Sequence, residues 1–125
     1  MSMDWFQDVK DFHQKFNCYI GERPAVPAKG TPQLRKNIIK EEYEELIEAM
    51  ERADLPEIAD AVCDLTYVIL GTAISYGIDV RPMWDAVQKA NMAKVGGGER
   101  EDGKILKPDG WTPPPIKELL EAQMH

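Results

Sequence analysis

Glu57, Asp60 and Asp64 lie within the segment Glu-Ile-Ala-Asp-Ala-Val-Cys-Asp-Leu-Thr-Tyr-Val-Ile-Leu-Gly, which is apolar at most other positions. In a helix, carboxylates at i, i+3 and i+7 stack on one stripe. Burying an unpaired carboxylate is costly, so three of them on an apolar helix call for compensation. A hard cation such as Mg²⁺, which takes oxygen ligands, supplies it. Just upstream, Glu41-Glu42-Tyr43-Glu44-Glu45 forms a second acidic cluster. Glu41 and Glu45 are one helical turn apart (i, i+4), and so are Glu42 and Glu45 (i, i+3), so they can point one way. Like charges this close raise one another's proton affinity unless a cation is present.

The surrounding sequence predicts the helices that must carry these groups. Met3 to Phe16 reads as an amphipathic helix with Trp5, Val9, Phe12 and Phe16 on its stripe. Residues 22–30, with Pro24, Pro27 and Gly30, read as an extended loop. Thr31-Pro32 opens a second helix that runs to about Arg52, its apolar positions being Leu34, Ile38, Ile39, Leu46, Ile47 and Met50. Asp54 is placed to cap the third helix, Pro56 suits its first turn, and Gly77 suits its end. The short turn between these two helices makes them antiparallel neighbours, so the acidic clusters can face each other. Asp79 is read as the cap of a fourth helix with Val80, Met83, Trp84, Val87 and Met92 buried. Residues 95–125 read as a loop and carboxy-terminal tail: a glycine connector (96–98), a loop or small ribbon around residues 104–107, a rigid Trp-Thr-Pro-Pro-Pro stretch (111–115) and a short last helix, residues 116–122.

This is an all-α, four- to five-helix bundle in a single domain spanning residues 1–125. The third helix is more apolar than a lone small bundle needs. Ala61, Leu65, Val68 and Ile69 are candidates for burial against another subunit, so the bundle is expected to be completed by oligomerisation, as a homodimer or homotetramer.

The net charge is −7, and residues 41–64 hold ten acids against one base, Arg52. That segment carries −9 and leaves the rest of the chain at +2. Acidity this local favours a cation site and argues against a nucleic-acid polymer as partner, which needs a basic track. Cys18 and Cys63 have neither zinc spacing nor disulfide density, and Cys63 is expected to be a core thiol. The run Leu65–Ile74 is short for a bilayer, so no membrane partner is expected. The amino terminus does not read as a signal peptide, and cytoplasm is the expected compartment.

The ordered motifs resemble the all-α nucleoside triphosphate pyrophosphohydrolases, a superfamily that includes MazG, the dimeric dUTPases and phosphoribosyl-ATP pyrophosphohydrolase. The resemblance rests on Glu-Glu-x-x-Glu (Glu41, Glu42, Glu45) followed by Glu-x-x-Asp (Glu57, Asp60). It extends to residues 8–16, to 69–73 with Tyr76-Gly77-Ile78-Asp79, to Asn91-Met92-Ala93-Lys94 and to 102–114, which look MazG-like within the phosphoribosyl-ATP pyrophosphohydrolase-like group. It implies Mg²⁺-dependent cleavage of a nucleoside triphosphate to monophosphate and pyrophosphate, with Mn²⁺ as the alternative ion. On this reading Glu42, Glu45, Glu57 and Asp60 hold the metal. Glu41 shares it or accepts the proton of the attacking water, so Glu41, Glu42 and Glu45 are the catalytic candidates. Asp64 lies one turn deeper, as an anchor behind the ligands. Eleven residues separate Glu45 from Glu57, which leaves open a shifted register with Glu41 and Glu44 as the first pair.

The resemblance also implies nucleotide contact by Asn91 and phosphate contact by Lys94. Lys104 and Lys107 are placed to close over phosphates from a loop. Arg35 and Lys36 are expected to pair with the acidic cluster or to touch phosphate, and His13 to be a surface or satisfied histidine. There is no Walker-type glycine loop, so phosphate binding rests on metal and lysine. Two alternatives stand beside the main reading. One is phosphoribosyl-ATP hydrolysis; the other is a non-catalytic oligomeric helical module that binds metal for structure.

Overall fold

Each of the five helices in the computed structural model, which describes residues 3–125, starts or stops at a signal visible in its local sequence. They are α1 (Trp5–Lys15), α2 (Thr31–Glu51), α3 (Leu55–Ser75), α4 (Arg81–Met92) and α5 (Ile116–Ala122). The fold is all-α. Extended structure among the described residues amounts to an isolated antiparallel bridge, Glu99 to Ile105. The chain divides into two compact units, Met1–Asp79 and Val80–His125.

In the first unit, α3 packs along α2 and against α1. Asp4 caps α1, its Oδ1 accepting from the Gln7 amide at 3.0 Å, and Asp54 caps α3 by accepting from the Glu57 amide at 3.3 Å. Three of the helices in this chain end in the same way. After α1, α2 and α3 the residue past the cap (Asn17, Ala53 and Gly77) has positive φ, and the next amide donates back to the helix: Cys18 to His13, Asp54 to Ala49, Ile78 to Ala73. This closes the orphan carbonyls of the last turn. Gly77 is doubly required, because a Cβ there would run into the backbone of Arg23.

The stripe that α1 buries differs from the expected one. Phe6, Val9 and His13 are buried, while Trp5, Phe12 and Phe16 remain exposed. Both sets have helical spacing, so periodicity could not choose between them. The choice is made by the loop: the Tyr19 carbonyl lies 3.1 Å from His13 Nδ1 and accepts the Ser75 hydroxyl at 2.9 Å, which draws His13 inward. Phe12 instead joins a surface aromatic cluster with Phe16 and Tyr67, at centroid distances of 4.7 and 5.6 Å. The same loop is pinned to the end of α3 by the Gly21 amide on Ile74 and the Ala25 amide on Tyr76.

On α2, the strongly buried residues are Arg35 and Ala49; Leu34 and Met50 are exposed. On α3, Ala61 is buried and Leu65 and Val68 are half-buried, leaving Leu55, Val62 and Ile69 as its exposed large apolar residues outside the aromatic cluster. Cys63, expected in the core, is exposed. The run Leu65–Ile74 is part of a 21-residue helix that is long and apolar enough, by length and composition, to cross a membrane. Its carboxylates and its packing against α2 and α1 fit the central helix of a bundle.

In the second unit, α4 starts after Val80 rather than from an Asp79 cap. Its buried residues are Met83 and Ala90, whereas Trp84 and Met92 are exposed. The chain then turns back on itself: Arg100 donates to Lys104 and Leu106 to Gly98, forming the small ribbon. Gly97 lies so close to the Leu106 backbone that no side chain fits. The Pro-rich stretch leads into α5, and Trp111 fastens it by donating from Nε1 to the Ala90 carbonyl at 2.7 Å.

Candidate metal centre

Residue numbers fall along one helix as they rise along the other. Arg35, early in α2, reaches Val68 and Thr72, late in α3. Glu42 and Glu45 reach Asp64. The helices are therefore antiparallel, folded about the Arg52–Asp54 turn, and paired positions add to about the same number. Glu42 falls opposite Asp64 by this reflection, whereas Glu57 lies nearer the turn.

Carboxylate oxygens of Glu42, Glu45 and Asp64 all lie within 4.8 Å of one another. Glu42 and Asp64 are half-buried and Glu45 is exposed, so the cluster sits at the edge of the helix pair with one side open. Burial pushes the Glu42 carboxyl above the usual carboxylate range. The charge of Glu45, a hydrogen bond with it, and the charges of Asp64 and Glu41 push the same way. Asp64 is raised for the same reasons: burial first, then Asp60 and Glu45. One oxygen of Glu42, Oε2, is fully buried with no hydrogen-bond partner. A buried acceptor left unpaired is expensive. Three convergent carboxylates with an unsatisfied oxygen among them are the donor set a hard divalent ion takes, and such an ion reverses the repulsion. The residues present therefore fit Mg²⁺ or Mn²⁺.

Of the expected ligands, the structure brings Glu42 and Glu45 together. Asp64, expected behind the ligands, is the third member of the trio. Asp60 lies one turn before it and acts on it through its charge. Glu57 is exposed in the first turn of α3, where its backbone amide is taken by the Asp54 cap, and its carboxylate is not in the trio. Glu41 is exposed beside Glu42. Glu44 is exposed and lies 4.0 Å from Lys40, which sets it apart from the trio. Counting outward from the turn would have revealed Asp64 in the sequence, because the reflection places it opposite Glu42.

Arg35 neither pairs with the cluster nor is free to reach phosphate. It is buried, with Nε donating to Thr72 Oγ1 at 3.1 Å and Nη2 to the Val68 carbonyl at 2.7 Å. In the second unit, Asn91 is exposed at the end of α4, Lys104 is exposed in the ribbon, and Lys94 and Lys107 both lie over the Trp111 ring.

Comparison with known proteins shows the family to which the helices around this site belong. The family described as phosphoribosyl-ATP pyrophosphohydrolase matches residues 9–91, which include α2, α3 and the whole trio. An uncharacterised protein of Acanthamoeba polyphaga mimivirus is 42% identical over 79 residues, covering 60% of this chain and 32% of the relative. The chain thus spans about a third of the length of that viral protein. With the match covering most of its length and its helices arranged as the motifs imply, this chain belongs to the phosphoribosyl-ATP pyrophosphohydrolase family, within the all-α nucleoside triphosphate pyrophosphohydrolases.

Proposed function

We propose that this protein is a Mg²⁺-dependent pyrophosphohydrolase that cleaves a nucleoside triphosphate to its monophosphate and pyrophosphate. The observation that carries the reading is the trio Glu42, Glu45 and Asp64 within 4.8 Å, with a buried, unpartnered oxygen on Glu42. These three would hold the ion, and Asp60 and Glu57 from the preceding turns of α3 complete the acidic stripe. When bound, the ion supplies charge neutralisation for phosphate oxygens.

The chain's own residues do the rest. Glu41, exposed beside the trio, accepts a proton from the attacking water. The water oxygen bonds to phosphorus as the bridging P–O bond breaks, and pyrophosphate leaves with the electron pair. Lys94, Lys104 and Lys107 bind phosphate, and Asn91 contacts base or sugar. The exposed row Leu55, Val62 and Ile69 on α3 supports assembly into a homodimer or homotetramer.

A panel of ribo- and deoxyribonucleoside triphosphates and phosphoribosyl-ATP, assayed with Mg²⁺ for pyrophosphate and monophosphate, tests the reading. Release from at least one triphosphate is expected, and its absence across the panel defeats the proposal. A second reading, hydrolysis of phosphoribosyl-ATP, is favoured by the family description, and the same panel separates the two. The third, a structural metal module, predicts an ion that resists chelation and whose removal unfolds the chain, whereas a catalytic ion exchanges freely.

A further inference from the structure

The indole of Trp111 is anchored by one edge and occupied by cations. Its Nε1 donates to the carbonyl of buried Ala90 at 2.7 Å, so the ring position is set by the last turn of α4. Lys94 Nζ, from the segment after α4, lies 5.3 Å from the ring centroid. Lys107 Nζ, from the far side of the 99–105 ribbon, lies 5.1 Å from it. The two ammonium groups are therefore no more than about 10 Å apart, near one Debye length at 0.1 M salt, so they still feel each other. Neither makes an ion pair or hydrogen bond among the described residues.

Beside the ring is a cavity of about 660 Å³ lined by Lys89, Ala90, Trp111 and the 108–115 stretch. Asp109 is the one carboxylate among its lining residues. Lys94 and Lys107 do not line that cavity; they share the ring beside it, and two mutually repelling cations held on one ring are a site for a multiply charged anion. Lysine binds phosphate as a point charge, so its placement decides what it binds.

We propose that Trp111 is a positioning residue. Its indole holds Lys94 and Lys107 as a two-ammonium clamp for the phosphate chain of the nucleotide, with inorganic pyrophosphate as the minimal ligand. The choice of ligand rests on the pyrophosphohydrolase reading; the clamp itself rests on the geometry of the second unit. The aromatic ring is the operative part: it attracts each cation through its face.

The direct test is the Trp111 indole N–H resonance of the Mg²⁺-free protein, assigned by its loss in Trp111→Phe. Titration with inorganic pyrophosphate is expected to shift it saturably, to leave the Trp5 and Trp84 resonances in place, and to lose the response in Lys107→Gln. No shift at millimolar pyrophosphate, or an undiminished shift in Lys107→Gln, overturns the clamp.

Kinetics give the second test. Trp111→Leu should raise KM for the nucleotide about five- to tenfold with kcat retained, because both the ring and its Nε1 anchor on the Ala90 carbonyl are lost. A fall in kcat at unchanged KM also overturns it. The titration needs no turnover, so a clamp that binds pyrophosphate in an inactive protein would sink the hydrolase reading alone. Turnover without the shift would sink the clamp alone.

Discussion

Arg35 Nη2 donates to the Val68 carbonyl across 2.7 Å, and the guanidinium can lie there because α3 has a glycine at 71. A Cβ on Gly71 would stand 2.6 Å from Nη2 and 2.9 Å from His13 Nε2. One missing side chain thus admits two buried cationic or titratable groups against α3. Arg35 has neutral partners, the Thr72 hydroxyl and the Val68 carbonyl, so its charge stiffens the α2–α3 pair at a desolvation cost.

Gly71→Ala should therefore destabilise the protein by about 1–3 kcal/mol, the usual range for overpacking a tight core. Urea unfolding with and without Arg35→Leu checks the cause. The double variant should recover part of the loss, because the clash partner is gone. Full additivity of the two changes would show that Gly71 acts elsewhere.

Two of the helix ends make opposite predictions about backbone conformation. Ala53 has φ +53°, where a Cβ is unfavourable, so Ala53→Gly should gain up to about 1 kcal/mol after the entropy glycine adds to the unfolded chain. Gly77→Ala should lose more than that, since the backbone of Arg23 leaves no room for a Cβ. Thermal melts of the two variants should move in opposite directions.

The carboxylate trio predicts opposite effects on activity and on metal-free stability. Glu45→Gln or Asp64→Asn should remove nearly all turnover. Without metal, each should leave stability equal or slightly higher, because a repelling charge is gone. Wild-type protein at 100 times the Mg²⁺ dissociation constant should gain about 2.7 kcal/mol, and the variants should lose most of that gain. Calorimetric melts with and without Mg²⁺ read both quantities.

The same residues set a pH dependence. Glu42 and Asp64 have folded-state pKa values above their unfolded ones, so ionising them costs stability. That penalty is complete above the raised values and is relieved as pH falls through them toward about 4, where the unfolded groups titrate. Metal-free protein should thus lose stability from these groups as pH rises across that window, and Mg²⁺ should reverse the trend by binding the ionised carboxylates more tightly. His13 acts in the other direction. Burial lowers its pKa, so its contribution is present above about pH 6.5 and lost as pH falls through the lowered value. Melting curves taken with and without Mg²⁺ isolate the carboxylates, since His13 contributes to both.

Leu55, Val62 and Ile69 recur every seven residues on α3, with exposures of 74%, 48% and 48%. If this row is an interface between copies, Val62→Glu or Ile69→Glu should yield monomers in sedimentation while the helical signal persists. An unchanged oligomer would place the interface elsewhere.

The sequence by itself determined the helices and most of their ends. Asp54, Pro56 and Gly77 are local signals whose caps and turns form within a few residues, and α5 occupies the predicted residues 116–122. Acids spaced for one stripe likewise place carboxylates on one face of a helix. The tertiary structure decided which of equally spaced residues meet. Periodicity could not choose Phe6 and His13 over Trp5 and Phe12, because the choice depended on the Tyr19 carbonyl arriving from a loop. It did not single out Asp64, because membership of the trio depends on how α2 and α3 reflect about their turn, a relation between residues about twenty positions apart. Nor did it show that Trp111 would gather Lys94 and Lys107, since that required the chain to double back through the 99–105 ribbon. Local chemistry is written in neighbouring residues, whereas convergence is a property of the packed chain.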